Sequence, residues 1–515
     1  MLKKIIKKET ILLLILLLGA YAFLYQILIP RVSSFGCFDD CFNIVGGYFI
    51  LNGLHPYSDF FFNHQMLMPY ISYFIQLISD PINIFDLVLK HRQTLLFFSF
   101  FFNAFLILRF RLAGFLFVLF YEFSKYYIFG DRFLAESFIV YPLVYMIGIL
   151  IFKFHGREVH RFEYFLSAIF AWLVVFMREP YTPLAFLLLL MIHIPTPRKI
   201  ALVSAGIFLS LSAIVILQYP ISEYYFNVVT VSKQTVLSYE LKETSLFGAG
   251  FLKAFLYPLY VFMTGEWNIF RSYLLVISLS FLLAFSYYSY RVRNAKLFIA
   301  ILLLLGLANL RLVAPGTIFY EAFHIIPWFG MIIMSTFLVL SLIKSKPISY
   351  VLYIFLFITF LGFIFSEKSY LRDKVDQQSL LINNYSREMG AGQAVKNLSK
   401  EGDTFFADGF DELTFWQSGL LSPYRYGWYT SVMPRFEKYR KARVEMFEKN
   451  PPDFYYGSCE KGFPVIPGPI RDDYVRLTSN GKPGCIFVHV KKLPEINDDQ
   501  WKKAGESLYE LPEDY

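Results

Sequence analysis

Charged residues are scarce in this sequence. Asp, Glu, Lys and Arg make up 17% of the 515 residues, whereas a soluble globular chain carries about 25% of them. Apolar residues account for 56%, and Phe alone occurs 59 times. This balance excludes an ordinary soluble protein and predicts a polytopic α-helical membrane protein.

A dense basic stripe is also lacking, although the formal net charge is +8. Lys and Arg are dispersed among apolar segments, whereas nucleic-acid binding proteins cluster them on one face. We therefore expect no nucleic-acid partner. We interpret the basic residues as signals of topology in a lipid bilayer.

Apolar windows recur along the first 366 residues. About eleven of them, most near the roughly 17 to 25 residues that cross a bilayer, lie at 10–30, 93–109, 112–129, 133–152, 163–178, 181–195, 200–218, 272–289, 297–312, 324–343 and 348–366. With this number of crossings the Lys/Arg clusters fall on one side, which the positive-inside rule makes cytoplasmic. The cluster Lys90-His91-Arg92 is the exception, since it falls on the opposite side.

No small-residue cleavage site follows the first window, and its apolar stretch is too long for a signal peptide. We interpret it as a retained anchor in a cytoplasmic or ER-type membrane. The sequence then divides into a transmembrane domain at 1–366, with an outer acidic loop at 31–92, and a polar tail at 367–515.

The odd number of crossings places the polar tail outside the cytoplasm, and the tail is large enough to fold by itself. Strand patterns at 404–407, 453–456 and 485–490 and helical patterns near 387–398 and 437–449 predict an extracytoplasmic α/β domain. A nucleophile with a base and an orienting group is lacking there, so we assign the tail no chemistry.

Cysteine occurs only four times, at Cys37, Cys41, Cys459 and Cys485. All four lie on the predicted outer side, where an even number favours disulfides, and local pairing predicts Cys37–Cys41 and Cys459–Cys485. A metal site in the Cys-Phe-Asp-Asp-Cys stretch is an alternative, but no second cluster of ligands is evident. Free thiols are the third possibility.

Two adjacent carboxylates, Asp39 and Asp40, follow the first apolar window. Carboxylates at a membrane boundary are costly, so we interpret the pair as a functional site. The alternative is that they favour the start of the next helix, where free amide groups attract carboxylates. Groups at the ends of other predicted spans can converge on the same cavity, and they are Asp59, His64, Asp131, Arg132, Glu136, Arg178, Arg311, Tyr320 and His324.

Four stretches resemble, in order, the GT-C-type glycosyltransferases, which include protein O-mannosyltransferases and lipid A aminoarabinose transferases. The acidic pair, with Gly-Leu-His-Pro-Tyr-Ser-Asp-Phe at 53–60 and Asn-His-Gln at 63–65, is similar to their first outer loop. Gly-Asp-Arg-Phe-Leu-Ala-Glu at 130–136 resembles their second acidic site. Arg311 with 319–327 resembles their late outer loop, and 450–455 a run in their soluble domains. The class often has Asp-Glu as its pair, and flanking cysteines are unusual in it.

The resemblance implies an inverting glycosyltransferase that moves a sugar from a polyprenyl-phosphate donor to a glycan, lipid or protein acceptor on the extracytoplasmic side. Asp40 or Asp39 would be the general base. The leaving phosphate needs positive charge, for which the candidates are Arg311, His324, Arg178 and Arg132. Glu136 and Asp131 would orient the acceptor, and Asp59, His64 and Tyr320 are further loop candidates.

Three more of these residues have structural alternatives. In these alternatives Glu136 pairs with Arg132 one helical turn earlier, Arg311 pairs with Glu321, and His324 is an ordinary interfacial histidine without a role in binding. Mg²⁺ or Mn²⁺ bound by Asp39, Asp40 and Glu136 would suit oxygen ligands. The sequence does not require such an ion, so the cofactor stays open.

Other classes of function remain. A lipid or glycan transporter or flippase would carry internal repeats and charges in the middle of its spans, and we find neither in the apolar windows. A scaffold protein that works through its outer domain is another alternative. A polymerase or ligase of lipid-linked oligosaccharides is the nearest enzymatic one, since it differs in its pyrophosphate-linked donor.

Overall fold

The computed structural model describes residues 8–36, 39–231, 268–309, 322–343, 346–408, 413–425, 436–457, 473–479 and 482–507. The described residues form two compact units. The helical unit comprises those of Met1–Ile29, Arg92–Gln218 and Ser238–Lys374. The mixed unit comprises those of Pro30–His91, Tyr219–Leu237 and Val375–Tyr515. Most of the predicted outer loop therefore shares one unit with most of the predicted tail.

Helices account for most of the described residues. Numbered along the chain, they are α1 (Lys8–Leu28), α2 (Asp39–Leu51), α3 (Leu67–Ser79), α4 (Ile84–Phe110), α5 (Leu112–Phe117), α6 (Ala135–Phe154), α7 (Arg161–Met177), α8 (Thr182–His193), α9 (Arg198–Ile216), α10 (Ile221–Tyr225), α11 (Ile269–Val292), α12 (Lys296–Ala308), α13 (Ile326–Leu342), α14 (Lys346–Phe365), α15 (Gln377–Leu398), α16 (Leu413–Ser418), α17 (Glu437–Lys449) and α18 (Asp498–Ser507).

Six helical segments in the described part of the chain are long and apolar enough to cross a membrane. They are Lys8–Arg31, Ile84–Phe110, Ala135–Phe154, Arg198–Ile216, Ile269–Val292 and Phe323–Leu342. Each predicted apolar window overlaps a helix, but several of these helices are shorter than the roughly 20 residues that a crossing needs. The helical membrane-type class is supported, and the count of about eleven crossings stays a prediction.

Helices α6 and α13 form the interior of the helical unit. Within their spans, 89% of the Ala135–Phe154 window and 94% of the Phe323–Leu342 window are buried, compared with 17% for Arg198–Ile216. Gly330 permits the close approach, since a Cβ atom there would lie 2.3 Å from Val140 Cγ2. Peripheral helices such as α9 expose Leu and Ile instead, as expected of surfaces that face lipid.

Helix α5 is short because the backbone changes its helical type. A π-helical turn, Val118–Glu122, follows α5 directly, and a 3₁₀ turn, Lys125–Ile128, comes next. Phe129 then adopts a left-handed conformation at φ +59° and ends the run. The predicted window 112–129 is therefore a broken helix, a feature that is frequent at functional sites.

The mixed unit joins an outer helical pair to a small sheet. Helices α2 and α3 pack against each other, and the chain between them turns at Gly53, whose φ is +81°. The strands are β1 (Phe405–Ala407), β2 (Phe454–Tyr456), β3 (Tyr474–Ser479) and β4 (Lys482–His489), in the order β1-β2-β4-β3. Strands β1 and β2 are parallel and the other pairs are antiparallel.

Candidate functional site

Three predicted site residues from separate helix ends meet in the helical unit. Glu136 lies in the first turn of α6, Arg178 follows α7 and His324 precedes α13. Arg178 Nε donates a hydrogen bond to Glu136 Oε1 at 3.0 Å, and His324 Nδ1 lies 3.2 Å from the same oxygen. Their side chains are at most 8% exposed. The arrangement, which we call the Glu136 cluster, is a buried carboxylate held by an arginine and a histidine.

Prolines mark the starts of two helices beside the Glu136 cluster. Pro183 and Pro327 stand in the first turns of α8 and α13, where proline is accepted because its missing N–H would have no helical partner. Arg178 has an extended backbone between α7 and the next turn. The Tyr181 hydroxyl donates to the His324 carbonyl at 3.2 Å, so the starts of α8 and α13 are tied together.

Asp131 and Arg132 lie in the segment that leads into α6. Asp131 Oδ2 is 3.8 Å from Arg92 Nη1, and both side chains are less than a tenth exposed. Arg132 is 1% exposed, and its guanidinium carbon lies 5.0 Å from the centre of the Phe129 ring. The structural alternative assumed that Arg132 and Glu136 lie one helical turn apart. Helix α6 begins after Arg132, so a helical turn does not separate these two residues.

The cluster Lys90-His91-Arg92, which breaks the predicted charge bias, has local partners. Lys90 Nζ lies 3.7 Å from Asp86 Oδ1, and Arg92 contacts Asp131. The His91 ring, fully buried, places Nε2 2.8 Å from Ser72 Oγ. Both cations are thus paired with carboxylates, which offsets the cost of placing positive charge there.

Asp39 and Asp40 occupy the first turn of α2 in the mixed unit. Asp40 is 1% exposed, and Asp39 is half-buried. The Asp39 carbonyl accepts a hydrogen bond from Asn43 Nδ2 at 3.1 Å. A carboxylate in a first helical turn is favoured by the helix dipole, so this position fits the structural alternative, and it leaves the role of base as a prediction.

The loop candidates Asp59 and His64 shape the turn between α2 and α3. Asp59 Oδ2 accepts from the His55 amide at 2.8 Å, and the Asp59 amide donates to the His55 carbonyl at 2.8 Å. The His64 carbonyl accepts from the Tyr57 hydroxyl at 2.7 Å. These contacts support the conformation of the loop.

Several predicted residues lie outside the described part of the chain. They are Cys37, Arg311, Tyr320, Glu321 and Cys459. Cys41 and Cys485 are each disulfide-bonded, which excludes free thiols at these two positions. The predicted pairing with Cys37 and Cys459 remains a prediction, as do the roles of Arg311 and Tyr320.

The described residues contain no group of three or more His, Cys, Asp and Glu side chains that could hold a metal ion. The Glu136 cluster has a single carboxylate, and a carboxylate already shared by an arginine and a histidine is a poor ligand for Mg²⁺.

Comparison with known proteins does not identify a family. No protein-family model, curated protein sequence or solved structure matches the chain. Function is therefore argued from the site, since a helical membrane architecture alone is compatible with many activities.

The structure contains a second buried polar cluster in the helical unit, which the sequence analysis did not predict. Lys125 Nζ lies 2.6 Å from Glu122 Oε2, and Glu122 Oε1 accepts hydrogen bonds from Tyr141 at 2.7 Å and Asn103 at 2.8 Å. Asn103 also donates to the Tyr21 hydroxyl at 2.7 Å. We call these five residues the Glu122 network. Both ionic side chains are at most 1% exposed.

The expectation that no charge lies in the middle of an apolar window is wrong for 112–129. Glu122 and Lys125 lie inside that window, where the π turn gives way to the 3₁₀ turn. A signal was present, because opposite charges three residues apart in an apolar window form a pair and mark a functional site by default.

Proposed function

We propose that this protein is a membrane glycosyltransferase with an extracytoplasmic site, using a sugar carried on a polyprenyl phosphate. The observation that carries the proposal is the Glu136 cluster. Residues 136, 178 and 324 are far apart in sequence, yet they were each predicted as site residues and form one buried contact. Loop-end groups that converge in this way are typical of active sites on rigid scaffolds.

In the proposed reaction an acceptor hydroxyl attacks the anomeric carbon of the donor sugar. The new bond joins that carbon to the acceptor oxygen, and the bond from the carbon to the phosphate oxygen breaks. The hydroxyl proton passes to the carboxylate of Asp40 or Asp39. The electron pair of the broken bond leaves with the polyprenyl phosphate, and the anomeric centre is inverted.

Arg178 is the candidate for binding the leaving phosphate. Glu136 fixes the orientation of its guanidinium through Nε, and a guanidinium can bind two phosphate oxygens at once. Positive charge that is held in place before the reaction stabilises the growing negative charge without reorganisation. His324 Nδ1 lies 3.2 Å from the same carboxylate oxygen, so this histidine helps to fix Glu136. When the imidazole is protonated, its Nε2–H is a second candidate donor to the phosphate.

The test is sugar transfer by purified protein in lipid vesicles that contain labelled polyprenyl-phosphate sugars. Mass spectrometry of co-purified lipids selects the donor and acceptor to be used. Asp40→Asn and Asp39→Asn are assayed separately, and the variant that lacks the base is expected to lose about 10²-fold or more in turnover. Unchanged turnover in both variants would refute the assignment of the base.

Asp80→Asn is the matched control for these substitutions. Asp80 is exposed and adopts a left-handed conformation at φ 41°, which asparagine accepts readily. This variant removes one carboxylate from the same unit without touching the proposed site, so its turnover is expected to equal that of the wild type.

A transporter or flippase is the second candidate, and the Glu122 network favours it. Ionisable residues buried at a break in an apolar helix are typical of transport proteins. The test uses vesicles with a fluorescent polyprenyl-phosphate lipid, in which a reductant added outside measures movement between leaflets. Movement faster than in protein-free vesicles would support transport, and an equal rate would exclude it for that lipid.

A further inference from the structure

The outer loop and the C-terminal part of the chain are packed together inside the mixed unit. The Tyr48 hydroxyl on α2 donates to the Leu420 carbonyl at 3.4 Å. The Phe49 ring meets the Phe415 ring edge-on, with centroids 5.4 Å apart. Helix α2, which begins with Asp39 and Asp40, thus rests on residues more than 360 positions later in the chain.

The segment that leads into α2 has a similar contact. Asn384 Nδ2 on α15 donates to the Ser33 carbonyl at 2.8 Å. Gly36 follows at φ +51°, and a Cβ atom there would lie 3.2 Å from the Asn384 carbonyl oxygen. The segment before α2 and the C-terminal half of α2 are therefore both in contact with the C-terminal part of the chain.

Arg425 makes the most specific of these contacts. Its Nη2 donates to the Tyr57 carbonyl at 3.0 Å, and its own carbonyl accepts from the Phe61 amide at 3.1 Å. Nη2 also lies 3.1 Å from Glu223 Oε2. Lys438 Nζ lies 2.9 Å from the same carboxylate oxygen. We call Arg425, Glu223 and Lys438 the Arg425 clamp.

The turn held by the Arg425 clamp has an unfavourable backbone conformation. Tyr57 has φ +64° and is fully buried. A bulky residue rarely adopts this conformation, and it persists only where the surroundings hold it. The Tyr57 ring packs edge-on against Tyr219 and Tyr224, with centroids 4.9 and 5.5 Å away. Strained backbone of this kind is concentrated at functional sites and switches.

We infer that the C-terminal part of the chain, 375–507, sets the conformation of the outer acidic loop, and that Arg425 is the positioning residue. Arg425 holds the turn at 56–60, and the contacts of α2 then fix the helix that carries Asp39 and Asp40. The consequence for catalysis rests on the proposed function, whereas the consequence for the loop does not. In this inference the C-terminal part acts through the loop.

The experiment compares full-length wild-type protein with Arg425→Gln by hydrogen exchange and mass spectrometry in lipid nanodiscs. Exchange of amides in the peptide 55–64 is expected to be about tenfold faster in the variant, because the Tyr57 carbonyl loses the guanidinium that holds it and the turn opens more often. The Phe61 amide, whose acceptor is the backbone carbonyl of residue 425, exchanges in this open form. The peptides of α6 and α13, which belong to the helical unit, are expected to keep wild-type exchange. That result separates local loosening from general unfolding.

Two further variants sharpen the comparison. Glu223→Gln keeps the shape of the clamp while it removes the negative charge, so a smaller acceleration at 55–64 is expected. Arg440→Gln is the matched control, since Arg440 is exposed on α17, the helix that carries Lys438. Wild-type exchange in Arg425→Gln and Glu223→Gln would overturn the inference.

Transfer activity decides whether the loop conformation serves the proposed reaction. Arg425→Gln is expected to lower kcat about tenfold and to leave KM for the donor lipid nearly unchanged, since it displaces the base and not the phosphate site. Faster exchange with unchanged kcat would show a structural contact only and overturn the positioning role. If the wild type transfers no sugar, the proposed function fails, while the exchange result still decides the effect on the loop.

Discussion

The contact between Glu136 and Arg178 also involves His324. One carboxylate oxygen accepts from both Arg178 and His324, so removing either partner changes what the other one meets. Energies of groups in direct contact do not add, and the deviation from additivity measures the interaction.

We therefore expect a coupling energy of about 1 to 3 kcal/mol between Glu136→Gln and Arg178→Gln. The two single variants and the double variant are compared with the wild type by reversible unfolding in detergent micelles. Arg372→Gln, at an exposed position of the same unit, replaces Arg178→Gln in a control cycle. Additive effects of Glu136→Gln and Arg178→Gln would contradict the observed pair.

The Glu122–Lys125 pair leads to a second expectation. A buried charge without its counterpart is costly, whereas replacement of both charges by apolar groups is often neutral. Lys125→Met is expected to reduce the free energy of unfolding by about 3 to 5 kcal/mol. Glu122→Met combined with Lys125→Met should recover most of that loss. Equal stability of the two variants would argue against the ion pair, and Lys491→Met, at an exposed position, is the control.

The sequence predicted the members of the Glu136 cluster but not their arrangement. Glu136, Arg178 and His324 were each recognised from their places at the ends of apolar windows. Their sharing of one oxygen depends on packing between helices, which no spacing along one helix reveals. Glu122 and Lys125 were overlooked because a window average hides two opposite charges in an otherwise apolar stretch.

Helices α2 and α3 owe their close packing to Gly47. A Cβ atom at that position would lie 2.4 Å from Ser72 Oγ and 2.6 Å from the Tyr73 backbone nitrogen. Gly47→Ala is therefore expected to destabilise the mixed unit by about 1 to 3 kcal/mol, because the added methyl group would force the backbone of α3 to shift. Thermal unfolding in detergent measures it.

Gly19→Ala is the control for this substitution. Gly19 lies in the middle of α1 with nothing within 4 Å of an added Cβ atom, and alanine is the better helix former. Its stability is expected to equal or exceed that of the wild type. Similar behaviour of the two variants would contradict the close α2–α3 contact.

The contact of Glu495 with two lysines, after strand β4, is expected to depend on pH. Hydrogen bonds from Lys400 and Lys492 lower the pKa of Glu495 to about 2, from about 4.3 in an unfolded chain. Because the folded-state pKa is the lower one, the contact stabilises fully above about pH 4.3 and its contribution is lost as the pH falls towards about 2.

Glu495→Gln is accordingly expected to lower Tm at about pH 6 and to lower it roughly half as much at about pH 3. The measurement is thermal unfolding of the full-length protein at each pH, followed by circular dichroism. Glu448→Gln, at an exposed position on α17, should show no such dependence on pH. A constant difference for Glu495→Gln across this range would count against the contact.

The secondary structure of the tail was largely predictable, whereas its partners were not. Predicted strands at 404–407, 453–456 and 485–490 coincide with β1, β2 and most of β4, and the predicted helix at 437–449 is α17. Strand β3 and helices α16 and α18 were missed, because short elements take their stability from neighbours and not from a pattern of their own. The packing of α2 on this part is likewise invisible in the sequence.

At the scale of the whole molecule, the sequence predicts how the chain is oriented in the membrane. About eleven crossings would leave the Lys/Arg clusters inside and the C-terminus outside. Alkaline phosphatase fused after residue 515 is expected to be active, and a fluorescent protein fused after residue 157 is expected to fluoresce. An inactive phosphatase at the C-terminus would mean an even number of crossings and would invalidate the extracytoplasmic site.

The mixed unit is assembled from distant parts of the chain, which has a consequence for synthesis. Residues 30–91 leave the ribosome early, whereas the residues that support α2 lie beyond 375. At roughly 5 to 20 residues per second, the acidic loop waits tens of seconds for its support. A premature stop codon before Asn384 would therefore leave the loop without the packing surface of its mature form.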